Sequence, residues 1–235
     1  SYLPSTATLG SHTYTCSVTN AYSGGVSSPV SAITLAVVAK PTAPYPLQVL
    51  ADGPLAYWRL DEATGMTAYD YAGGYNGMYS NTYQAYPSSY SVNTEPNQQC
   101  AAFGQATTSD SYVAGVPDYL SLAAPNGVNA QFSVEAWVNS AYGQSSDAGL
   151  VALGYGYGGE QFGLDCGGND SQNPAHTFRF FVRDANGNSY NASSTNVAAG
   201  DGLWHHVVGV CDQAHGTVSL YIDGQLNASA SIPAN

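Results

Sequence analysis

The chain has 235 residues, of which 9% are charged and 44% hydrophobic, with abundant Gly (26), Pro (12) and Tyr (19). Helix-forming Glu, Lys and Arg are scarce, and turn-forming and aromatic residues favour an all-β fold. Four basic against 16 acidic residues give a formal net charge of −12, which repels nucleic acid and anionic lipid. The negative charge argues against nucleic acid binding. Membrane insertion is not expected either, because no apolar run approaches the roughly 20 residues that cross a bilayer.

The first segment has the pattern of a β-hairpin. Polar and apolar residues alternate over residues 12–21 and again over residues 26–38, and the turn-forming run Ser23-Gly24-Gly25 separates them. A period of two is typical of strands, and a glycine-containing connection of this kind favours antiparallel pairing.

Within this hairpin, Tyr14 precedes Cys16 by two residues, which resembles strands F and G of a bacterial immunoglobulin-like domain with its tyrosine corner. The resemblance implies a partial immunoglobulin-like β-sandwich over residues 1–39, with Cys16 unpaired within the chain. A two-stranded hairpin cannot bury a core alone. We therefore expect adjacent repeats of the same protein, or a second protomer, to complete it.

Three prolines in residues 40–46 predict a semi-rigid, extended linker. Beyond it, residues 47–51 are compatible with one helical turn, which Gly53-Pro54 would end.

The rest of the chain, residues 47–235, carries four ordered blocks. They are Leu55-Ala56-Tyr57-Trp58-Arg59-Leu60-Asp61-Glu62, Asp70-Tyr71-Ala72-Gly73-Gly74-Tyr75-Asn76-Gly77, Phe132-Ser133-Val134-Glu135-Ala136-Trp137-Val138, and Trp204 to Asp212 followed by Ser219 to Gly224. These blocks resemble those of the laminin-G-like, concanavalin-A-like family, and the resemblance implies an antiparallel jelly roll that lacks its last strands.

Periodicity in these blocks agrees with a sandwich. Alternation over residues 132–138 places Phe132 and every second residue on one face, with Glu135 and Trp137 on the other. Asn186-Gly187 and Asp223-Gly224 lie between alternating runs, and such pairs favour type I′ hairpin turns.

Calcium is the cofactor that the family resemblance implies. Asp61, Asp70 and Asp118 fall in the matching blocks, and carboxylate oxygens are ligands that calcium prefers. In the alternative interpretation, these aspartates organise turns by accepting backbone N–H bonds.

A tyrosine-rich stretch supplies candidate contact aromatics, Tyr71, Tyr75, Tyr79 and Tyr83. Their rings could stack on a sugar or form a protein interface. Alternatively, most of them pack on their own domain.

The four cysteines lack the close spacing of zinc or redox motifs. Cys166 and Cys211 both end predicted strands, which makes a disulfide between them one of three pairings, and Cys100 has no evident partner. The sequence also contains N-glycosylation patterns, at Asn169, Asn191 and Asn227.

No catalytic motif is apparent. Glu135 is the sole carboxylate on its predicted strand, and Asp61-Glu62 are adjacent, so neither forms the carboxylate pair of a glycosidase. A hydrolase would need a pair assembled from distant strands. His205-His206 could suggest metal ligands, but adjacent strand residues diverge, which favours ordinary half-buried histidines.

These observations predict a non-catalytic structural unit, extracellular or at the cell surface, of a repetitive or fibre-forming protein. It would self-associate through sandwich contacts or strand complementation. The alternative is a laminin-G-like lectin or adhesin that binds glycans or proteins with calcium.

Overall fold

The fold is described by a computed structural model. It covers residues 8–19, 27–80, 83–87, 99–104, 112–114, 130–140, 147–154, 159–167 and 176–233. The chain divides into two compact units, residues 1–120 and residues 121–235. No helix within the described ranges has the length and apolar character needed to cross a membrane.

β-Strands are the main regular structure among the described residues of both units, and every described strand pair is antiparallel, which confirms the predicted all-β class. In the first unit the strands are β1 (Gly10–Cys16), β2 (Ser31–Val37), β3 (Thr67–Ala68), β4 (Gly77–Ser80), β5 (Tyr83–Pro87), β6 (Gln99–Ala102) and β7 (Tyr112–Ala114). In the second unit they are β8 (Gln131–Asn139), β9 (Gly149–Leu153), β10 (Phe162–Asp165), β11 (Thr177–Arg183), β12 (Ser189–Ala198), β13 (Trp204–Asp212), β14 (Thr217–Ile222) and β15 (Gln225–Ser231).

β1 and β2 form the predicted hairpin. Tyr14 lies opposite Ile33, and Cys16 lies opposite Ser31. Among the described residues these strands make a sheet of two, so each has one edge that no described strand covers. The predicted turn at residues 23–25 lies outside the described residues.

Helix α1 (Pro44–Ala51) begins earlier than the sequence predicted and includes part of the expected extended linker. Its prolines lie in the first turn, where an amide hydrogen has no intrahelical acceptor and the fixed proline φ suits a helix. Ala43 is the N-cap, the helix ends at Ala51, and Asp52 is the C-cap, just before Gly53.

Two small sheets complete the described part of the first unit, one with the order β3-β4-β7 and one with the order β5-β6. An isolated bridge joins Trp58 to Asp70. It brings together the two signature blocks that begin at Leu55 and Asp70.

The second unit is a sandwich of two four-stranded sheets, with the orders β12-β11-β10-β9 and β15-β14-β13-β8. One apolar core lies between them, and both sheets contribute to it. Phe178 and Phe180 of β11 and Val207 of β13 are completely buried. As the alternating pattern of β8 predicted, Phe132, Val134, Ala136 and Val138 pack against this core.

Two glycines set the spacing around the aromatic residues of β11. A Cβ at Gly209 would lie 2.3 Å from the Phe180 ring, and a Cβ at Gly163 would lie 2.5 Å from the Phe181 ring. Since real Cβ atoms do not approach that closely, each ring occupies the space that a glycine leaves open.

Of the two predicted type I′ turns, one is confirmed. Asp223 and Gly224 have φ values of 51° and 77°, the positive pair that a type I′ turn requires. Asn186 has no positive φ, although Gly187 does. The Asp184 carboxylate instead accepts the Asn186 and Asn188 backbone N–H groups, which selects a longer turn that the sequence did not predict.

Candidate functional site

Asp70 is the centre of a backbone hydrogen-bond network in the first unit. Its Oδ1 accepts the N–H groups of Tyr57 (2.7 Å) and Ala72 (2.9 Å), and its Oδ2 accepts those of Gly73 (3.0 Å) and Tyr75 (2.8 Å). Asp70 is 7% exposed. Asp70 therefore acts as a turn organiser, because its buried carboxylate accepts hydrogen bonds from four backbone amides.

The neighbouring acidic residues Asp61 and Glu62 also have partners within the protein. Asp61 forms an ion pair with Arg59 at 2.8 Å. Glu62 accepts the backbone N–H of Tyr69 at 2.8 Å through Oε1 and the hydroxyl of Tyr79 at 2.5 Å through Oε2. Each carboxylate therefore stabilises the local chain path.

Asp61 and Asp70 do not fit the calcium-ligand roles predicted for them. The amide hydrogens around Asp70 occupy the oxygens that a cation would need, and the Arg59 guanidinium stands beside Asp61. Within the described ranges, no three acidic, histidine or cysteine side chains converge on a metal position. Asp118 lies outside the described residues, so calcium binding itself stays a prediction.

Tyr79 differs from its predicted role as a contact aromatic. It is 5% exposed, and burial together with the hydrogen bond to Glu62 raises the pKa of its hydroxyl far above the usual range. Its ring cannot be presented to a ligand, which corrects the prediction. The side chain of Tyr83 lies outside the described residues.

Tyr71 and Tyr75 are half-buried. The ring centroids of Tyr57 and Tyr71 lie 6.4 Å apart, and the Arg59 guanidinium lies 5.6 Å from the centre of the Tyr71 ring. Burial raises the pKa of Tyr71, and the nearby Asp61 charge acts in the same direction. Two aromatic faces beside an ion pair combine stacking with polar contacts.

A second aromatic group lies on the outer face of the sandwich, which we call the Trp137–His206 face. The rings of Trp137 on β8 and His206 on β13 stack with centroids 4.9 Å apart. His206 Nε2 lies 3.5 Å from Glu135 Oε2, and this contact lowers the pKa of Glu135. Tyr221 extends the same face, because Val208 lies opposite both Glu135 and Tyr221.

His205 and His206 diverge, as adjacent strand residues do. His205 is 8% exposed, and its Nδ1 lies 2.7 Å from Asp223 Oδ2 while its Nε2 lies 3.2 Å from Asp201 Oδ2. The two imidazoles therefore do not share a metal position. Sequence reasoning missed the two aspartates, which are partners across a loop and a turn.

Carboxylates from distant elements do meet at Arg179. Its Nε and Nη2 donate to Asp165 at 3.1 and 2.6 Å, and Nη2 also donates to Asp147 at 2.5 Å. A glycosidase needs a sugar oxygen or a water between its two carboxylates. Here the guanidinium occupies that space, so the pair is arranged for an ion-pair network.

The predicted disulfide between Cys166 and Cys211 is not formed, and both residues are buried thiols. Cys211 lies opposite Phe132 near the start of β8. Cys166 Sγ lies 3.6 Å from Ser140 Oγ, just beyond the end of β8. At about 3.3 Å per strand residue, the two sites are roughly 25 Å apart, far more than a disulfide spans. Cys16 is an exposed thiol at the end of β1.

The three glycosylation patterns have different environments. Asn191 is exposed on β12. Asn227 is engaged, because its Oδ1 accepts the Thr195 N–H at 3.1 Å and its Nδ2 donates to Asn196 Oδ1 at 2.6 Å. A glycan on Asn227 would disrupt these links. Asn169 lies outside the described residues.

The fold and these surfaces define a class, that of antiparallel β-sandwich modules with polar and aromatic outer faces. A laminin-G family model, described as the concanavalin A-like lectin/glucanases superfamily, matches residues 114–235, and the chain belongs to this family. The match includes the blocks that begin at Phe132 and Trp204, and the two earlier blocks lie outside it. A comparison with curated proteins found no match.

Proposed function

We propose that the chain is a non-catalytic, extracellular structural unit that acts by contact, and that the β1–β2 hairpin joins it to adjacent repeats or to a second copy. The observation that carries this proposal is the exposure of apolar side chains along the hairpin. Ile33 is 60% exposed, and Val18 and Val30 are each 66% exposed.

The physics of small sheets supports this role. A two-stranded sheet is marginally stable by itself in water, and an uncovered strand edge offers N–H and C=O groups to another strand. A strand added by a neighbour would stabilise the hairpin, because it would pair with the uncovered edge and cover apolar side chains. In this proposal the hairpin is the end of an immunoglobulin-like sandwich that a neighbour completes.

The absence of catalysis is the second part of the proposal. Asp147 and Asp165 meet with Arg179 between them, and the Asp70 and Glu62 carboxylates hold the chain path. Domains of this family are often extracellular, which supports the proposed location.

The test is the oligomeric state of the purified chain by light scattering over a range of concentrations. The wild-type chain should self-associate, and Ile33→Lys should reduce association, because a charge at an exposed strand edge opposes pairing. Leu226→Lys on β15 is the matched control, since Leu226 is 58% exposed, and it should leave association unchanged. A stable wild-type monomer at every concentration would refute the assembly role.

The alternative function is a lectin or adhesin, and the Trp137–His206 face favours it. A stacked aromatic pair beside a carboxylate can hold a sugar by stacking and hydrogen bonding. A glycan array should then give binding that Trp137→Ala abolishes and that Tyr112→Ala, at an aromatic residue 49% exposed, does not. A calcium titration that raises the melting temperature of wild type but not of Asp118→Ala would support calcium. Silence in both assays would exclude this alternative.

A further inference from the structure

Both ring nitrogens of the buried His205 face carboxylates. Nδ1 lies 2.7 Å from Asp223 Oδ2, and Nε2 lies 3.2 Å from Asp201 Oδ2. A neutral imidazole has one N–H donor and one acceptor, whereas an imidazolium has two donors. An ionised carboxylate only accepts hydrogen bonds, so the geometry matches the protonated ring.

The three side chains come from different parts of the second unit. His205 lies on β13, Asp201 lies in the loop before that strand, and Asp223 lies in the turn between β14 and β15. On the core side, the non-titratable ring of Phe178 packs edge-on to His205 with centroids 5.7 Å apart. The charged groups facing the imidazole are therefore Asp201 and Asp223.

Asp223 also links the β14–β15 turn to His206, the residue after His205. Its Oδ1 accepts the His206 N–H at 2.9 Å, and its own N–H donates to the His206 carbonyl oxygen at 2.9 Å. Its φ of 51° lies in the left-handed region, where aspartate and asparagine are better tolerated than most residues. One aspartate thus connects turn geometry, strand β13 and the buried ring.

We infer that Asp201, His205 and Asp223 form a proton-dependent clamp, in which a protonated His205 fastens the β14–β15 turn to the loop before β13. Loss of the proton leaves one of the two carboxylates facing a ring nitrogen without a hydrogen. The clamp should therefore be closed at neutral and weakly acidic pH and should weaken in alkaline solution.

The electrostatic balance agrees in direction. Burial lowers the pKa of His205, but hydrogen bonds to Asp223 and Asp201 outweigh it and raise the pKa above its usual value of about 6.5. Because the folded pKa is raised, the stabilisation is fully present below the unfolded value. It is lost as pH rises through the folded value.

The direct test is nitrogen-detected NMR of the full chain with labelled histidine. We expect both ring nitrogens of His205 to carry hydrogens at neutral pH. A neutral, single-tautomer His205 at neutral pH would overturn the clamp.

A stability measurement tests the same idea without removing the buried ring. Asp223→Asn keeps a side chain that tolerates the left-handed turn, but it replaces a charged acceptor with an amide. We expect the fall in melting temperature between about pH 6 and about pH 9 to shrink by more than half in Asp223→Asn and in Asp201→Asn. Asn191→Ala, which removes an exposed and non-titratable side chain from β12, should keep the wild-type slope. Equal slopes in all four proteins would contradict the inference.

Discussion

The two units of the chain achieve order by different means. In the second unit, Phe178, Leu164 and Leu220 are completely buried between two four-stranded sheets. In the described part of the first unit, the buried residues include Asp70, Ala68 and Tyr79, and the signature blocks are joined by hydrogen bonds to Asp70 and Glu62. The second unit therefore depends on apolar packing across the sandwich. The described part of the first unit depends on polar contacts between residues close in sequence.

This difference has an energetic meaning. Apolar burial contributes in proportion to the area removed from water, whereas a polar network contributes little net free energy but is costly to leave incomplete. Substitutions in the sandwich should therefore change global stability. Substitutions in the Asp70 network should change the local order of the first unit.

The largest expected effect is that of Phe178→Ala. Removing a completely buried aromatic ring from a close-packed core should lower the free energy of unfolding by about 3–5 kcal/mol. Urea denaturation would measure this loss. Leu226→Ala, at an exposed position of the same sandwich, should stay within about 0.5 kcal/mol of wild type. A similar loss in both variants would contradict a core of this kind.

Asp70→Ala should have the next largest effect, confined to the first unit. Four backbone N–H groups lose their acceptor, and each loss costs about 1–3 kcal/mol when water cannot replace it. Because several of these groups are near solvent, we expect a local loss of about 3 kcal/mol. Hydrogen exchange of Tyr57, Ala72, Gly73 and Tyr75 would report it, with Asp70→Asn intermediate. Equal loss of protection in β13 would remove the distinction between the units.

Tyr79→Phe should cost less. It removes one hydroxyl that donates to Glu62 and keeps the buried ring, so the expected loss is about 1.5 kcal/mol, the value of a hydrogen bond to a charged group. Thermal melting would detect it. A companion variant, Tyr221→Phe on β14, likewise removes only a hydroxyl and should melt like wild type.

The smallest effect is expected at a polar link within the sandwich. Asn227→Ala removes the contacts with Thr195 and Asn196 and should cost about 1 kcal/mol. Asn191→Ala on the exposed side of β12 should change stability by less than about 0.5 kcal/mol. If the two variants melted alike, the Asn227 link would contribute nothing measurable to the sandwich.

The alternating strands of the sandwich were predictable because a strand places every second residue on the same face. Phe132, Val134, Ala136 and Val138 therefore pack against the core, as their spacing indicated. The Asp223-Gly224 turn was equally local. The start of α1 was not predicted, because proline breaks a helix in its interior but is tolerated in its first turn.

Contacts between distant residues were not predictable in the same way. Cys166 and Cys211 each lie near the end of a strand. The sequence does not show that Cys211 lies near the start of β8 and Cys166 near its end. The partners of His205 and Arg179 likewise depend on how loops and strands come together. For Asp70, the sequence allowed a calcium ligand or a turn organiser, and only the positions of four amides distinguish them.

The glycines under the β11 rings limit how this interior could be redesigned. Phe180 and Phe181 are consecutive, so they extend from opposite faces of one strand, and each rests above a residue without a side chain. The Phe180 ring lies against Gly209 of the opposite sheet, so this pair sets the local separation of the two sheets, whereas Phe181 lies over Gly163 of its own sheet. An engineer who wished to open a cavity there, or to fill one, would have to change ring and glycine together.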